Sequence, residues 1–226
     1  MRFQDAAKDA RAVVYAGIQA EPLVARCAAL LADATAAQRV LARAVMNGVS
    51  TDASAWRTMF PTLFGAAAAA ADDGPRSEAI LAASLEVAQR GEQVRSQVRG
   101  AIVESLTETL VRRRPRAGDA PTAVRRERRV LFDGVRAEIH PYDVTVELDG
   151  AAEAIDCKWG ARGINADVLH QLDDARQHAE DEDEILAATL VVFDAERSCR
   201  VRLDRETAPH ERTRVVPIER LDELGR

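Results

Sequence analysis

Hydrophobic residues recur every three or four positions through the first part of the chain, which is the spacing of an amphipathic helix. The clearest examples are Leu23, Cys27, Leu30 and Leu31. Pro22 suits a first helical turn, and the Asn47-Gly48 pair suits a helix end. This part contains no strand pattern and no repeat, so we predict an all-helical region over residues 1–94.

From about residue 95 the pattern indicates one long helix followed by strands. Apolar residues at i, i+4 spacing predict the helix: Val98, Ile102, Leu106 and Leu110. Alternating segments in 128–150 and 152–160 predict three strands. Residues 165–184 predict an amphipathic helix that Asn165 caps, and the apolar run 186–195 predicts a strand buried on both faces. The predicted order is helix, three strands, helix, strand, and the tail adds a strand and a short helix.

Length and composition favour one large domain or two small ones, because the chain has 226 residues. We place the boundary between residues 94 and 95, which gives domains 1–94 and 95–226. A net charge of −6 argues against a protein that binds polyanions over its whole surface. Three widely spaced cysteines without a CxxC pair suit a reducing cytoplasm. No uncharged apolar run approaches the length of a membrane span, so we expect a cytoplasmic protein without membrane contact.

One lysine stands out in the predicted third strand. Of 31 basic residues only Lys8 and Lys158 are lysine, and Lys158 lies in the apolar segment AIDCKWG (154–160). Strand side chains alternate between faces, so Asp156 and Lys158 project to one side while Ile155 and Cys157 project to the other. An ammonium group is compact and can approach a single oxygen more closely than the broad guanidinium of arginine.

A second carboxylate is expected beside this pair. Asp143 begins the preceding predicted strand, and a turn at Asp149-Gly150 would bring the two strands together. Two carboxylates, Asp143 and Asp156, with the main-chain carbonyl of Cys157, make a hard-oxygen site suited to Mg²⁺ or Mn²⁺. Such an ion polarises a phosphoryl oxygen and activates water, and Lys158 would position that water and offset charge on the phosphorane. The alternative is an ordinary same-face ion pair between Asp156 and Lys158.

Asp143 followed by Asp156-Cys157-Lys158 resembles the PD-(D/E)XK signature of the restriction-endonuclease-like nucleases, with Tyr142 where proline is usual. The resemblance covers residues 95–195. It implies an α+β or α/β fold in which the helical region precedes an αβββαβ core with a mixed central sheet. Gly100 and Glu104 are similar to the "G…E" of the first helix, so Glu104 would complete the metal site. Gln171 resembles a helix glutamine found in several branches. Solvated helix positions are the alternative for Glu104 and Gln171.

Arginines cluster around the connection between the long helix and the first strand of the core. They are Arg112, Arg113, Arg114, Arg116, Arg125, Arg126, Arg128 and Arg129. Such a strip would neutralise several phosphates of a nucleic acid, with strongly salt-dependent affinity. The alternative is an ordinary solvated helix end and a charged edge strand that discourages edge pairing.

Two functional classes follow. The first is a metal-dependent endonuclease or other hydrolase of nucleic acid. Family precedent favours DNA over RNA as the substrate, a DNA-binding role in bacterial defence (restriction) or DNA repair, and a 5′-phosphate on the product. The helical region would then recognise the target, form a homodimer or dock a partner protein. The second class is a non-catalytic interaction or assembly protein that keeps the nuclease-like scaffold. The intact set of Asp143, Asp156 and Lys158 favours the first class.

Overall fold

The computed structural model describes residues 1–6, 10–65, 73–115, 123–132, 135–136, 140–148 and 151–226. The chain forms two compact units. One is helical and comprises Ala10–Thr109, and the other comprises Met1–Asp9 and Leu110–Arg226 and contains the sheet. The predicted boundary between residues 94 and 95 lies inside a helix, Glu92–Val111, whose last residues belong to the sheet unit.

The helical unit is built from short amphipathic helices. They are α1 (Ala10–Gln19), α2 (Pro22–Ala32), α3 (Ala36–Asn47), α4 (Ala53–Met59), α5 (Pro61–Phe64), α6 (Gly74–Ala88) and α7 (Glu92–Val111). As predicted, α2 starts at Pro22 and α3 ends at Asn47. Thr35 and Gln38 form a reciprocal capping box at the start of α3, which satisfies two helix-end N–H groups. In the part of the chain that the structure describes, no helix is both long and apolar enough to cross a membrane.

The second unit contains a mixed sheet. Its strands are β1 (Arg2–Asp5), β2 (Ala123–Phe132), β3 (Val135–Arg136), β4 (Tyr142–Leu148), β5 (Ala151–Lys158), β6 (Leu186–Val192) and β7 (Arg214–Val216). Six strands lie side by side in the order β1-β2-β4-β5-β6-β7, and β3 pairs with β2. Pairing is antiparallel from β1 to β5 and parallel from β5 to β7. The predicted mixed α and β architecture with a mixed sheet is therefore confirmed.

The predicted all-helical character of residues 1–94 is wrong at its beginning. Residues Arg2–Asp5 form β1, an edge strand antiparallel to β2 with Phe3 opposite Val130. A four-residue strand is too short to show a reliable alternation, and its conformation depends on pairing with a distant segment. These residues belong to the sheet unit for the same reason.

The sheet unit contains the helix predicted after the segment 152–160 and a second helix that the sequence pattern did not predict. α8 (Ala166–Asp181) lies between β5 and β6, and a further helix, α9 (Glu196–Leu203), precedes β7. The Asn165 side chain caps α8 by accepting the Val168 N–H at 3.0 Å, as predicted. The buried face of α8 and the apolar residues of β6 share one core, which includes Leu169, Leu172, Leu190 and Val192. The turn predicted at Asp149-Gly150 lies outside the described residues.

Candidate active site

Neighbouring ends of β4 and β5 carry the two predicted carboxylates. The last pair of the β4–β5 ladder is Val144 opposite Ile155, and Asp143 and Asp156 are the next residues beyond it. Burial of Val144 and Ile155, both 0% exposed, fixes the strand register here, because a one-residue slip would move them out of the core. The sequence therefore brings both aspartates to one edge of the sheet, as the motif requires.

Asp143 is held by the main chain of the adjacent strand. Its Oδ2 accepts the Cys157 N–H at 2.6 Å. This hydrogen bond to a carboxylate is of the strong, charge-assisted kind. It places the Asp143 carboxylate beside the peptide bond between Asp156 and Cys157. Binding of a metal by the Cys157 carbonyl stays a prediction.

Asp156 and Lys158 form an ion pair. The Lys158 Nζ lies 2.7 Å from Asp156 Oδ2, and the Asp156 side chain is 10% exposed. Burial by itself lowers the pKa of Lys158, but the nearby Asp156 and Asp143 carboxylates outweigh it and raise the pKa above its ordinary value. Lys158 is therefore a cation at neutral pH. The same-face projection of the two side chains agrees with both interpretations of the motif, the catalytic one and the simple ion pair.

Glu127 is a site residue that the sequence reasoning missed. It lies on β2 between Arg126, opposite Val144, and Arg128, opposite Tyr142, and therefore stands across from Asp143. Carboxylate oxygens of Glu127 and Asp143 lie within 4.8 Å of one another. Glu127 also has a φ of 54°, a left-handed conformation that costs a non-glycine residue about 1–3 kcal/mol.

The signal for Glu127 was present but weak. It is the single acid in the run RRERR (125–129), which charge analysis treats as one basic strip. Only the β2–β4 register reveals that the acid faces Asp143 while its arginine neighbours face Val144 and Tyr142. A positive φ is not visible in the sequence, because glutamate carries no preference for it.

Glu104 is buried within the helical unit. Its Oε1 accepts a hydrogen bond from the Tyr15 hydroxyl, and its Oε2 accepts one from Gln19 Nε2 at 2.8 Å. The side chain is thus not a solvated helix residue, which was the alternative interpretation. A Cβ at Gly100 would lie 3.1 Å from the Tyr15 hydroxyl oxygen, so glycine leaves room for this network. A role of Glu104 in metal binding stays a prediction.

Gln171 positions the chain just before Asp143. Its side-chain amide accepts the His140 N–H at 3.4 Å and donates to the His140 carbonyl at 3.3 Å. The Gln171 main-chain carbonyl accepts the Tyr142 hydroxyl at 3.1 Å, and Tyr142 is fully buried. Gln171 therefore ties α8 to the start of β4, as a positioning residue.

The predicted arginine strip is divided by its contacts. Arg114 pairs with Glu153 and donates to the Leu224 carbonyl at 2.7 Å, and Arg128 donates to the Phe3 carbonyl at 2.6 Å and pairs with Glu147 at 3.2 Å. Both side chains are thus engaged in holding the fold. Arg112 likewise donates to the main chain, at the Val124 carbonyl, at 2.8 Å. Arg113, Arg125, Arg126 and Arg129 lie within the described residues, and Arg116 lies outside them. Phosphate binding by this strip stays a prediction.

The loop after Lys158 is fixed by a buried acid. Asp194 is 8% exposed, and its Oδ2 accepts the Ala161 N–H at 3.0 Å. Trp159 stacks on Phe193 with ring centroids 5.0 Å apart. Gly163 lies against the aliphatic part of Lys158, since a Cβ there would approach the Lys158 Cβ, Cγ and Cδ to 2.9 Å. The lysine is therefore enclosed by its own loop.

Replacing Gly163 with Ala is expected to displace Lys158. Real Cβ contacts essentially never reach 2.9 Å, and the clash involves the first carbons of the lysine side chain, which have little freedom to move. For the nuclease activity that the sequence predicts, we expect a fall of about tenfold to a hundredfold, since small misplacement of a catalytic group is costly. A gel assay of plasmid nicking measures this. Gly91→Ala, where a Cβ would meet nothing within 4 Å, is the control and should keep wild-type activity. Equal activity in the two variants would contradict the positioning of Lys158 by Gly163.

Comparison with protein-family models, with curated proteins and with solved structures finds no match for this chain.

Proposed function

We propose that this chain is a metal-dependent nuclease that hydrolyses phosphodiester bonds of DNA, on a restriction-endonuclease-like αβββαβ core. The observation that carries the proposal is the gathering of Asp143, Asp156 and Lys158 at one edge of the sheet, with Glu127 beside Asp143. Chance alone accounts for the sequence pattern D-x-K in many proteins. The strand register adds to this pattern, because Glu127 on β2 and Asp156 on β5 stand across from Asp143 on its two neighbouring strands.

The donor set suits Mg²⁺ or Mn²⁺, because it consists of carboxylate oxygens. Oxygens of Glu127 and Asp143 within 4.8 Å of one another are close enough to share one ion after small adjustments, since each ligand lies about 2.1 Å from Mg²⁺. Asp143, Asp156 and Glu127 are the residues that would hold it. Such an ion supplies Lewis-acid stabilisation of a phosphoryl oxygen and lowers the pKa of a bound water.

The residues of the site have different roles in the proposed hydrolysis. Water attacks the phosphorus and gives up a proton, and the bond from the phosphorus to the 3′ oxygen breaks. The 3′ oxygen takes up a proton, so the products carry a 3′-hydroxyl and a 5′-phosphate. The Lys158 ammonium offsets the negative charge that builds on the phosphorane oxygens, and its positive charge is pre-set by Asp156 and Asp143. Gln171 and the Cys157 N–H keep Asp143 in place.

Incubation of the purified chain with supercoiled plasmid tests the proposal. We expect nicked and linear products with Mg²⁺ or Mn²⁺, and none with EDTA or with Ca²⁺ alone. End-labelling after phosphatase treatment should show that the products carry 5′-phosphates. Absence of metal-dependent products from DNA and from RNA, at enzyme in excess over substrate, would contradict the proposal.

A second candidate function has one observation in its favour. Asp143 and Asp156 each have a strong partner within the chain, the Cys157 N–H and Lys158. A non-catalytic scaffold that supports assembly with a partner protein or a second copy would retain them as structural contacts. In that case, the wild-type chain would not cleave DNA, and substituting either acid would lower the stability of the fold.

A further inference from the structure

A cavity lined by arginines lies beside the loop that follows Lys158. It has a volume of about 430 Å³ and lies between the short helix Ala161–Gly163 and α9. Its polar lining consists of Arg162, Arg197, Arg202, Arg205 and Ser198, and no carboxylate contributes to it. These residues come from two separate segments, 161–162 and 197–205, so the charge analysis of the sequence did not group them.

Most of this charge is not neutralised within the fold. Arg202 is fixed, because it donates to the Ile164 carbonyl at 2.8 Å and pairs with Glu206 at 2.8 Å. The other three arginines of the cavity form no ion pair with any residue that the structure describes. Four guanidinium groups around one cavity repel one another, and an anion bound between them would relieve that repulsion. Guanidinium groups also match phosphate oxygens in a bidentate geometry.

The cavity and the candidate active site share one rigid loop. Arg162 is followed directly by Gly163, which lies against the Lys158 side chain. Ala161 at the cavity wall is held by Asp194, and Ile164 is held by Arg202. Arg162 and Gly163 therefore lie between two residues, Ala161 and Ile164, whose main-chain groups are hydrogen-bonded to the rest of the fold. A phosphate bound by Arg162 would be held at a fixed position relative to Lys158.

We propose that this cavity binds the phosphodiester backbone of the nucleic-acid substrate, next to the phosphate that is cleaved. The assignment of the cleaved phosphate rests on the proposed function; the binding of a phosphate backbone by the four arginines does not. A polynucleotide is favoured over a single small anion because the cavity is open to solvent and four arginines line it, so that successive phosphates of one chain can contact several of them at once.

The test is the salt dependence of DNA binding. A fluorescein-labelled duplex is titrated in Ca²⁺ at several KCl concentrations, and affinity is read from fluorescence anisotropy. For Arg197→Ala/Arg205→Ala we expect about tenfold weaker binding and a log K against log [KCl] slope smaller by about 2, since each phosphate contact contributes about 0.9. Arg162→Ala should lower the slope by about 1. Arg200→Ala, an exposed arginine on the same helix but outside the cavity, should leave the slope unchanged.

The outcomes separate this inference from the proposed nuclease activity. If the cavity variants have the same slope of log K against log [KCl] as Arg200→Ala, the inference is overturned, even if the wild type cleaves DNA. Reduced slopes in a chain that never cleaves DNA would support the inference and contradict the nuclease. Displacement of the duplex by low millimolar pyrophosphate at constant ionic strength, with no effect of duplex length on affinity, would indicate a small-anion site and also overturn it.

Discussion

Replacing Asp156 with Asn, or Lys158 with Ala, is expected to reduce metal-dependent DNA cleavage by about a hundredfold to a thousandfold. Removing one preorganised charge from the position where transition-state charge develops typically costs that much. Asn at position 156 keeps the volume and one acceptor but loses the charge that a divalent ion and Lys158 both need. Ala at position 158 removes the cation that, in the proposed mechanism, offsets the charge on the phosphorane. Single-turnover cleavage of a labelled duplex in Mg²⁺ measures both effects without interference from product release.

The same variants must be checked for folding, because the pair is largely buried. Lys158→Ala leaves the Asp156 carboxylate, 10% exposed, without its ammonium partner, and we expect a loss of about 1–3 kcal/mol in the free energy of unfolding. Asp156→Asn should cost less, since the amide keeps an oxygen that accepts from Lys158. Asp174→Asn, an exposed acid on α8, controls for the loss of a charge. Full activity in a folded Asp156→Asn protein would contradict a catalytic role.

Replacing Glu153 with Leu is expected to destabilise the sheet unit by about 3 kcal/mol. Glu153 is 7% exposed, accepts the Thr189 hydroxyl at 2.6 Å and pairs with Arg114. Leucine fits the volume but leaves a largely buried guanidinium and a buried hydroxyl without an acceptor. Urea unfolding followed by fluorescence of Trp159, in a Trp56→Phe background, measures the effect in the sheet unit alone.

A double variant separates the cost of the unpaired charge from other causes. Glu153→Leu/Arg114→Met removes both partners, so we expect it to recover part of the lost stability relative to Glu153→Leu. A double variant that is less stable than the single one would show that the loss comes from packing around the introduced leucine and not from the orphaned arginine. Glu153 lies outside the candidate active site and the predicted arginine strip, so the rate of cleavage by the folded Glu153→Leu protein should not change.

The hydrophobic periodicity of the sequence predicted the helices and strands better than it predicted how distant segments pair in the sheet. The apolar spacing of α7 and the Asn165 cap of α8 are local features, and both were predicted correctly. The strand β1 was missed because its conformation depends on pairing with β2, more than a hundred residues away in the sequence. The positive φ of Glu127 could not be predicted either, since it follows from the geometry of β2 and not from a residue preference.

In the candidate site, too, the residues that lie close together in the sequence were predicted, and those that only the tertiary structure brings together were not. Asp143, Asp156 and Lys158 were selected by spacing within two strands, and the β4–β5 register brings the aspartates together. Glu127 and the arginine cavity required the tertiary structure, because their residues come from β2 and from segments on either side of β6. Conversely, Arg114 and Arg128 looked like phosphate ligands in the sequence, yet each is held by a carboxylate and a main-chain carbonyl of the fold.

The proposed nuclease function depends on whether a divalent cation binds among the carboxylates at the neighbouring ends of β4 and β5. Anomalous diffraction at the manganese edge, from crystals soaked in Mn²⁺, tests this directly. We predict a peak coordinated by Asp143 together with Asp156 or Glu127, and its loss in Asp143→Asn crystals treated in the same way. Density free of manganese around Asp143 at saturating Mn²⁺, with the bond to the Cys157 N–H intact, would contradict the account.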